Sequence, residues 1–295
     1  MKIVFIGAVD FSFHCLEKVL ENNGQVEGIV TLKKSIYHSD FKDLTPISKK
    51  YKIPIHYCKN INHIETIDWI KSKSPDIIFC FGFSQLLKKK VLSIPRMGVI
   101  GSHPALLPQN RGHHPLIWAL ALGIEECGLT FFFMDTKIDS GKILSQRKIS
   151  IDGGDTAQTL YEKIKKLASL QISEFLSQLL SGKYKLIQQN HDIANTWRKR
   201  CKNDGIIDWR MSGEAILNLI RALSTPYPAA SFNYKNQEIK VWKAKKYDQL
   251  IPKNIEHGKI VKIIEQKPVI KCYDGAIQLL EYEPIINFIS GEYII

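Results

Sequence analysis

Ile3-Val4-Phe5-Ile6-Gly7-Ala8-Val9-Asp10-Phe11-Ser12-Phe13-His14-Cys15-Leu16-Glu17-Lys18-Val19-Leu20 opens on an unbroken apolar run, closes it with a glycine and then changes period. The run suits a strand covered on both faces, while Phe13, Leu16, Val19 and Leu20 recur at helical spacing. Residues 26–32 read as the next strand, which completes a βαβ unit and predicts a parallel sheet. The alternation continues with a helix over 44–51, a strand over 53–57, a helix over 61–72 and a buried strand over 76–81. Further on, the stretch 111–121 is expected to begin a helix after Gly112, with strands over 129–134 and 143–149 and a helix from the N-cap pair Asp155-Thr156 through Leu180. Gly7 is a lone glycine turn without a Gly-x-Gly-x-x-Gly run, so a Rossmann-like sheet without a nicotinamide cofactor is expected.

A chain of 295 residues exceeds the usual size of one domain. The polar, basic stretch containing Trp197-Arg198-Lys199-Arg200 reads as a linker, which divides the chain into a domain over 1–187, a linker over 188–204 and a domain over 205–295. In the last part a helix over 215–223 ends before Pro226 and Pro228. Short strands then follow from Phe232 onward, over 238–244, 258–265, 269–272 and 276–281. That spacing predicts a small OB-like β-barrel, so the fold class is α/β: a Rossmann-like open sheet followed by a barrel.

The hydrophobic fraction of 44% and charged fraction of 24% are those of an ordinary globular protein. The apolar run over 117–122 falls far short of the roughly 20 residues a membrane helix needs, and Met1-Lys2 leads straight into the first strand. A cytoplasmic protein with no membrane partner is the expectation. Six cysteines without a Cys-x-x-Cys pair signal neither a zinc site nor a disulfide framework, so no metal is expected. A net charge of +12 favours a polyanionic partner, but only seven arginines contribute to it. Bidentate recognition of phosphates and bases draws on arginine, so the charge is a weak argument for nucleic acid.

Chemistry concentrates in Val99-Ile100-Gly101-Ser102-His103-Pro104-Ala105-Leu106-Leu107-Pro108-Gln109-Asn110-Arg111-Gly112. Here a histidine follows a short strand, where open α/β sheets hold their ligands. Asp139 follows in Asp135-Thr136-Lys137-Ile138-Asp139-Ser140-Gly141. A carboxylate that accepts from one imidazole nitrogen sets the tautomer of the ring and makes it a competent base.

From Gly98 to Gln146 the pattern His-Pro-x-Leu-Leu-Pro, Arg-Gly, Gly128-Leu-Thr and Asp139-Ser-Gly-Lys-Ile resembles the formyltetrahydrofolate-dependent formyltransferases. That family includes methionyl-tRNA formyltransferase, glycinamide ribonucleotide formyltransferase and the N-formyltransferases of nucleotide-linked amino sugars. The run 204–209, Leu219-Ile220-Arg221-Ala222-Leu223 and Pro226-Tyr227-Pro228 are similar to the linker and C-terminal domain of the tRNA-type and sugar-type members. The resemblance thus covers nearly the whole chain. It implies that His103 is the base or proton shuttle and that Asp139 orients it. It also implies that formyltetrahydrofolate lies along Phe81, Gly82, Phe83, Gln85, Leu86 and Asp135, with Arg111, His113 and Ser102 facing the acceptor.

One departure bears on the chemistry. The family places an asparagine two residues before the histidine to hold the formyl oxygen, and here that residue is Gly101. Losing one oxyanion donor typically costs about 10²–10³ in rate, so a substitute is needed. Asn110 is the preferred one, ahead of a backbone N–H at Gly101 or a water. The stretch 33–43, where tRNA-type members carry a basic, glycine-containing loop, has no Arg-Gly element. The expected acceptor is therefore the primary amine of a nucleotide-activated amino sugar. Methionyl-tRNA is the alternative, followed by formyltetrahydrofolate hydrolysis or a non-catalytic folate- or nucleotide-binding role. The C-terminal barrel could supply the contact of a homodimer.

Overall fold

The structure is a computed structural model that describes residues 1–34 and 39–294; the middle of the stretch 33–43 therefore lies outside the described residues. The chain divides into two compact units, one of 1–115, 126–149 and 162–198, the other of 116–125, 150–161 and 199–295.

In the first unit seven strands form one sheet: β1 (Lys2–Ile6), β2 (Gln25–Thr31), β3 (Ile55–Tyr57), β4 (Ile77–Cys80), β5 (Val99–His103), β7 (Glu126–Phe133) and β8 (Ile143–Ser150), in the order β3-β2-β1-β4-β5-β7-β8. The helices between them are α1 (Asp10–Glu21), α2 (Thr45–Tyr51), α3 (Ile64–Ser72) and the single turn α4 (Lys89–Leu92). Strands β1 to β5 are mutually parallel, because each connection crosses back over a face of the sheet. The sheet is thus mostly parallel, as expected, and β7 is the exception: it pairs antiparallel to β5 with His103 opposite Thr130. The connection from β5 to β7 starts and finishes at one end of the sheet instead of crossing it.

Side-chain alternation sorts the core into two faces. Phe5 pairs with Phe79 in register and both rings meet Phe81; Phe79 also meets Phe175, and Phe131 joins Phe81 to Phe175. Phe175 comes from the long helix α6 (Ala157–Ser181). On the other face Val4, Ile6, Ile78, Cys80 and Val99 meet Ile67 and Ile70 of α3. Burial pushes the Cys58 thiol up to about 11 and the Cys80 thiol up to about 12.

The helix expected to begin after Gly112 starts at Pro115, as α5 (Pro115–Ala121). Arg111–Gly112 is instead the short strand β6, which pairs in parallel with β9 (Thr196–Trp197). Gly112 has φ +100, and a Cβ there would lie 2.4 Å from the Trp197 carbonyl oxygen, so neither helix nor a larger residue is accommodated. Proline then suits the first helical position because it lacks the N–H that would be unpaired there.

In the second unit α7 (Gly213–Ala222) is capped by Ser212, whose hydroxyl accepts from the Ala215 N–H. Strands β10 (Ala230–Tyr234), β11 (Gln237–Lys246), β12 (Ile260–Ile264), β13 (Lys267–Lys271) and β14 (Ala276–Glu283) form an antiparallel sheet in the order β10-β11-β14-β13-β12. A cleft of about 730 Å³ opens in this unit beside Asp152, Asn218, Arg221, Lys246 and Asp274. Arg221 of the quoted C-terminal motif borders it, and none of the residues expected to form the catalytic site does. Among the described residues no helix is long and apolar enough to cross a membrane.

Candidate active site

His103 is the last residue of β5, so the parallel strands β1 and β4 end on the same side of the sheet. It is 5% exposed. Its Nδ1 lies 3.5 Å from Asp139 Oδ2, and its Nε2 lies 2.7 Å from the Asn110 carbonyl oxygen. A carbonyl oxygen can only accept, so Nε2 carries a hydrogen in this arrangement. Both ring nitrogens thus face oxygens, one from each of two different loops.

The two loops are tied to each other. Asp139 Oδ2 also accepts from the Gly112 N–H at 2.9 Å. Asp135 spans its own loop: its Oδ1 accepts from the Lys137 N–H and from the Ser140 hydroxyl, which shapes the turn that carries Asp139. Gly141 closes that turn against Phe133, where a Cβ would lie 1.7 Å from the carbonyl oxygen.

The Asn110 side chain turns toward Asn195: its Oδ1 accepts from Asn195 Nδ2, while its backbone N–H donates to Asn195 Oδ1. The Arg111 guanidinium reaches Gln189 Oε1 at 2.6 Å and His191 Nδ1 at 2.9 Å, and its buried Nε has no partner among the described residues. His113 and His114 are exposed neighbours with ring centroids 6.2 Å apart. Ser102 alternates with His103 along β5 and so lies on the opposite face of the sheet.

Gly101 shares the face of His103, and its missing side chain is compensated from β7. A Cβ there would lie 2.9 Å from Met134 Cγ and 3.2 Å from Phe132 Cζ. The space a Cβ would take is filled by apolar side-chain atoms.

The loop after β4 behaves differently. Phe81 is fully buried in the aromatic cluster, and Phe83 packs against the core facing α3. The Gly82 carbonyl accepts from the Ala8 N–H and the Ser12 hydroxyl, which joins this loop to the start of α1. Gln85 accepts from the Ile61 N–H and donates to the Lys59 carbonyl. Leu86 is 54% exposed at the tip.

Sequence reasoning did not single out Gln189, His191 or Asn195. Gln189 is 3% exposed, donates to the Asp139 and Gly141 carbonyls at 2.9 and 2.7 Å, and accepts from Arg111. No local signal marks these residues, since their partners lie between 48 and 85 positions away.

Known proteins are similar to this chain in sequence and in fold. The chain is 35% identical over 250 residues to the bifunctional polymyxin resistance protein ArnA of Wigglesworthia glossinidia brevipalpis, covering 83% of this chain but 38% of that protein. It is 31% identical over 304 residues to methionyl-tRNA formyltransferase of Clostridioides difficile (strain 630), covering 100% of this chain and 96% of that one. Two solved structures have the same fold. One is WlaRD, a sugar 3N-formyl transferase crystallised in the presence of dTDP and 5-N-formyl-THF (TM-score 0.69, 22% identity, 95% of this chain and 97% of that chain). The other is an N-formyltransferase from Helicobacter canadensis in complex with folinic acid and dTDP-3-aminofucose (TM-score 0.71, 19% identity, 95% of this chain and 98% of that chain). Residues 1–176, which include His103 and Asp139, match the formyl transferase family, and residues 200–286 match its C-terminal domain. The chain therefore belongs to the formyl transferase family.

Proposed function

We propose that this chain transfers a formyl group from formyltetrahydrofolate to the primary amine of a nucleotide-activated amino sugar. The observation that carries the transfer chemistry is Asp139 Oδ2 at 3.5 Å from Nδ1 of a histidine held at the carboxyl end of a sheet strand. Formyltetrahydrofolate, when bound, supplies the electrophilic one-carbon unit. His103 takes the proton from the amine nitrogen as that nitrogen attacks, and gives it back to the folate nitrogen as the bond there breaks, so the proton count closes. While it holds the proton, the ring has an N–H on each nitrogen, and each N–H has an oxygen to meet, Asp139 on one side and the Asn110 carbonyl on the other.

Asn110 is the substitute for the donor missing at Gly101. With its Oδ1 engaged by Asn195, its Nδ2 is the donor it can offer to the formyl oxygen. Phe83, the Gly82 backbone and the exposed Leu86 form an apolar edge suited to the flat face of a pterin, with Gln85 fixing that loop from below. Asp135 serves through the turn it shapes. Arg111 and His113 face the acceptor, where a nucleotide diphosphate would meet their N–H groups. Ser102 has the least support of the acceptor residues, given its place on the other face.

The amino-sugar reading is supported by the stretch 33–43, which contains no arginine, and by solved structures of matching length that hold a deoxythymidine nucleotide or a nucleotide-linked amino sugar. Methionyl-tRNA is the second reading, favoured by relatives 29–32% identical across 95% or more of this chain. Measuring tetrahydrofolate release from formyltetrahydrofolate separates the two, with nucleotide-linked amino sugars, methionyl-tRNA and no acceptor in parallel. Release that depends on an amino sugar and vanishes in His103→Ala is the expected result. Release only with charged tRNA moves the assignment to the second reading, and release without acceptor identifies a hydrolase.

A further inference from the structure

His103 is oriented by two oxygens that reach it from residues with left-handed backbone, Asp139 at φ 51 and Asn110 at φ 60. Such conformations are uncommon for residues other than glycine, although aspartate and asparagine tolerate them best, and they persist when surrounding contacts hold them. Here both holding contacts come from one stretch of chain, 187–197, which follows the long helix of the first unit.

That stretch runs along the site as a strap. Ile187 exchanges backbone hydrogen bonds with Ile143, fixing its near end at 2.8 and 2.9 Å. Gln189 comes next, buried, with its amide N–H groups on the Asp139 and Gly141 carbonyls and its oxygen on Arg111. Asn195 follows and makes a reciprocal pair with Asn110, accepting from the backbone N–H at 2.7 Å and donating to the side-chain oxygen at 3.1 Å. The far end is closed by β9 against β6, where the His113 N–H also meets the Trp197 carbonyl. The side-chain amides of Gln189 and Asn195 end on Asp139 and Asn110, the two residues that meet the His103 ring nitrogens.

We propose that Gln189 and Asn195 are positioning residues for His103. Gln189 fixes the backbone that aims the Asp139 carboxylate at Nδ1, and Asn195 fixes the backbone that aims the Asn110 carbonyl at Nε2. Asn195 thereby favours the hydrogen of the neutral ring on Nε2, toward the nearer carbonyl, and Gln189 sets the carboxylate that meets Nδ1 once that nitrogen takes a proton. The inference rests on His103 being the proton carrier and on nothing about the acceptor.

The test reads the ring itself. In the full chain labelled with ¹⁵N-histidine, long-range ¹H–¹⁵N spectra report the tautomer of each ring, and the His103 signals are those lost in His103→Ala. Wild-type protein should show a single tautomer with the hydrogen on Nε2. Gln189→Met, which keeps the size but loses all three polar contacts, and Asn195→Ala, a change at an exposed position, should each shift the His103 ring signals away from their wild-type positions. The remote His14 and His56 should stay where they are. Gln189→Glu keeps an acceptor for Arg111 but loses both donors, so it should resemble Gln189→Met, and Asn195→Asp, which keeps the acceptor for the Asn110 N–H, should recover most of what Asn195→Ala loses.

In turnover these variants should lose about 10- to 100-fold in kcat, as small misplacements of catalytic groups do, with KM for formyltetrahydrofolate within about twofold. Unchanged His103 signals in both Gln189→Met and Asn195→Ala would overturn the proposal. A wild-type-like Gln189→Glu beside a perturbed Gln189→Met would also overturn it, by routing the effect through Arg111. Full turnover in His103→Ala is a separate failure: it would sink the role of His103 and leave the tautomer result standing on its own.

Discussion

The loops that follow β4 and β5 leave neighbouring parallel strands at the same end of the sheet, but they are held in different ways. The first is held by burial and by contacts to main chain. Phe81 and Leu87 sink into the core, Ser12 ties the Phe81 and Gly82 carbonyls to the start of α1, and Gln85 spans Lys59 and Ile61. The second is held by polar side chains from elsewhere: Asp139 on Gly112, Asn195 on Asn110, and Gln189 behind Asp139. Changes to the contacts that hold the first loop should therefore register as stability, and changes to those that hold the second as rate.

The largest expected effect is in the second loop. His103→Ala should lower formyl transfer by about 10²–10⁴-fold, the usual contribution of a positioned acid–base group, while thermal unfolding moves by only a few degrees. An inactive variant that is also unfolded would break the contrast.

Ser12→Ala tests the first loop. The hydroxyl accepts from the buried Ala8 and Val9 N–H groups and donates to Phe81, so its loss strands several main-chain partners. A stability loss of about 2–3 kcal/mol is expected from denaturant titration, with turnover per folded molecule unchanged within about twofold. Lost turnover at full stability would show that the loops are not divided in this way.

Gly101→Ala probes the border between them, since the new Cβ meets Met134 at 2.9 Å. It should cost about 1–3 kcal/mol by overpacking, and Met134→Ala in the same chain should return part of that loss. Gln85→Ala should cost about 1 kcal/mol of stability. The smallest effect sharpens the picture of the first loop at its root: Cys80, pushed up to about 12 by burial, should resist iodoacetamide in the folded protein at mildly alkaline pH, whereas the exposed Cys201 should react. Mass spectrometry of the labelled peptides reads both sites.

The same division explains what could be read in the chain before the fold was known. The β1–α1–β2 unit and the buried β4 strand were legible because apolar periodicity and one glycine carry them locally, as in Ile3 to Gly7. His103 and Asp139 could be picked out by motif, and they lie 3.5 Å apart. Antiparallel β7 was not legible, because strand direction depends on where a connection ends and not on the pattern within the strand. Nor was the helix start at Pro115, where the ladder formed by Arg111–Gly112 with a strand from beyond α6 outweighs helical periodicity. The strap eluded the reading for a related reason. Its stretch is polar and aperiodic, like any linker, and its importance lies in side-chain amides that find main-chain partners 50 residues upstream.

The antiparallel return of β7 has a consequence for how this scaffold can change. Because the connection from His103 to Glu126 departs from and comes back to one edge of the molecule, extra residues can be spliced in near the exposed His113 and His114 without rethreading any strand. Doubling the length of a flexible loop costs only about 0.6 kcal/mol of closure entropy. The segment beside the proton carrier is thus also one where insertion costs little, so new acceptor preferences can evolve while the sheet that aims His103 stays intact.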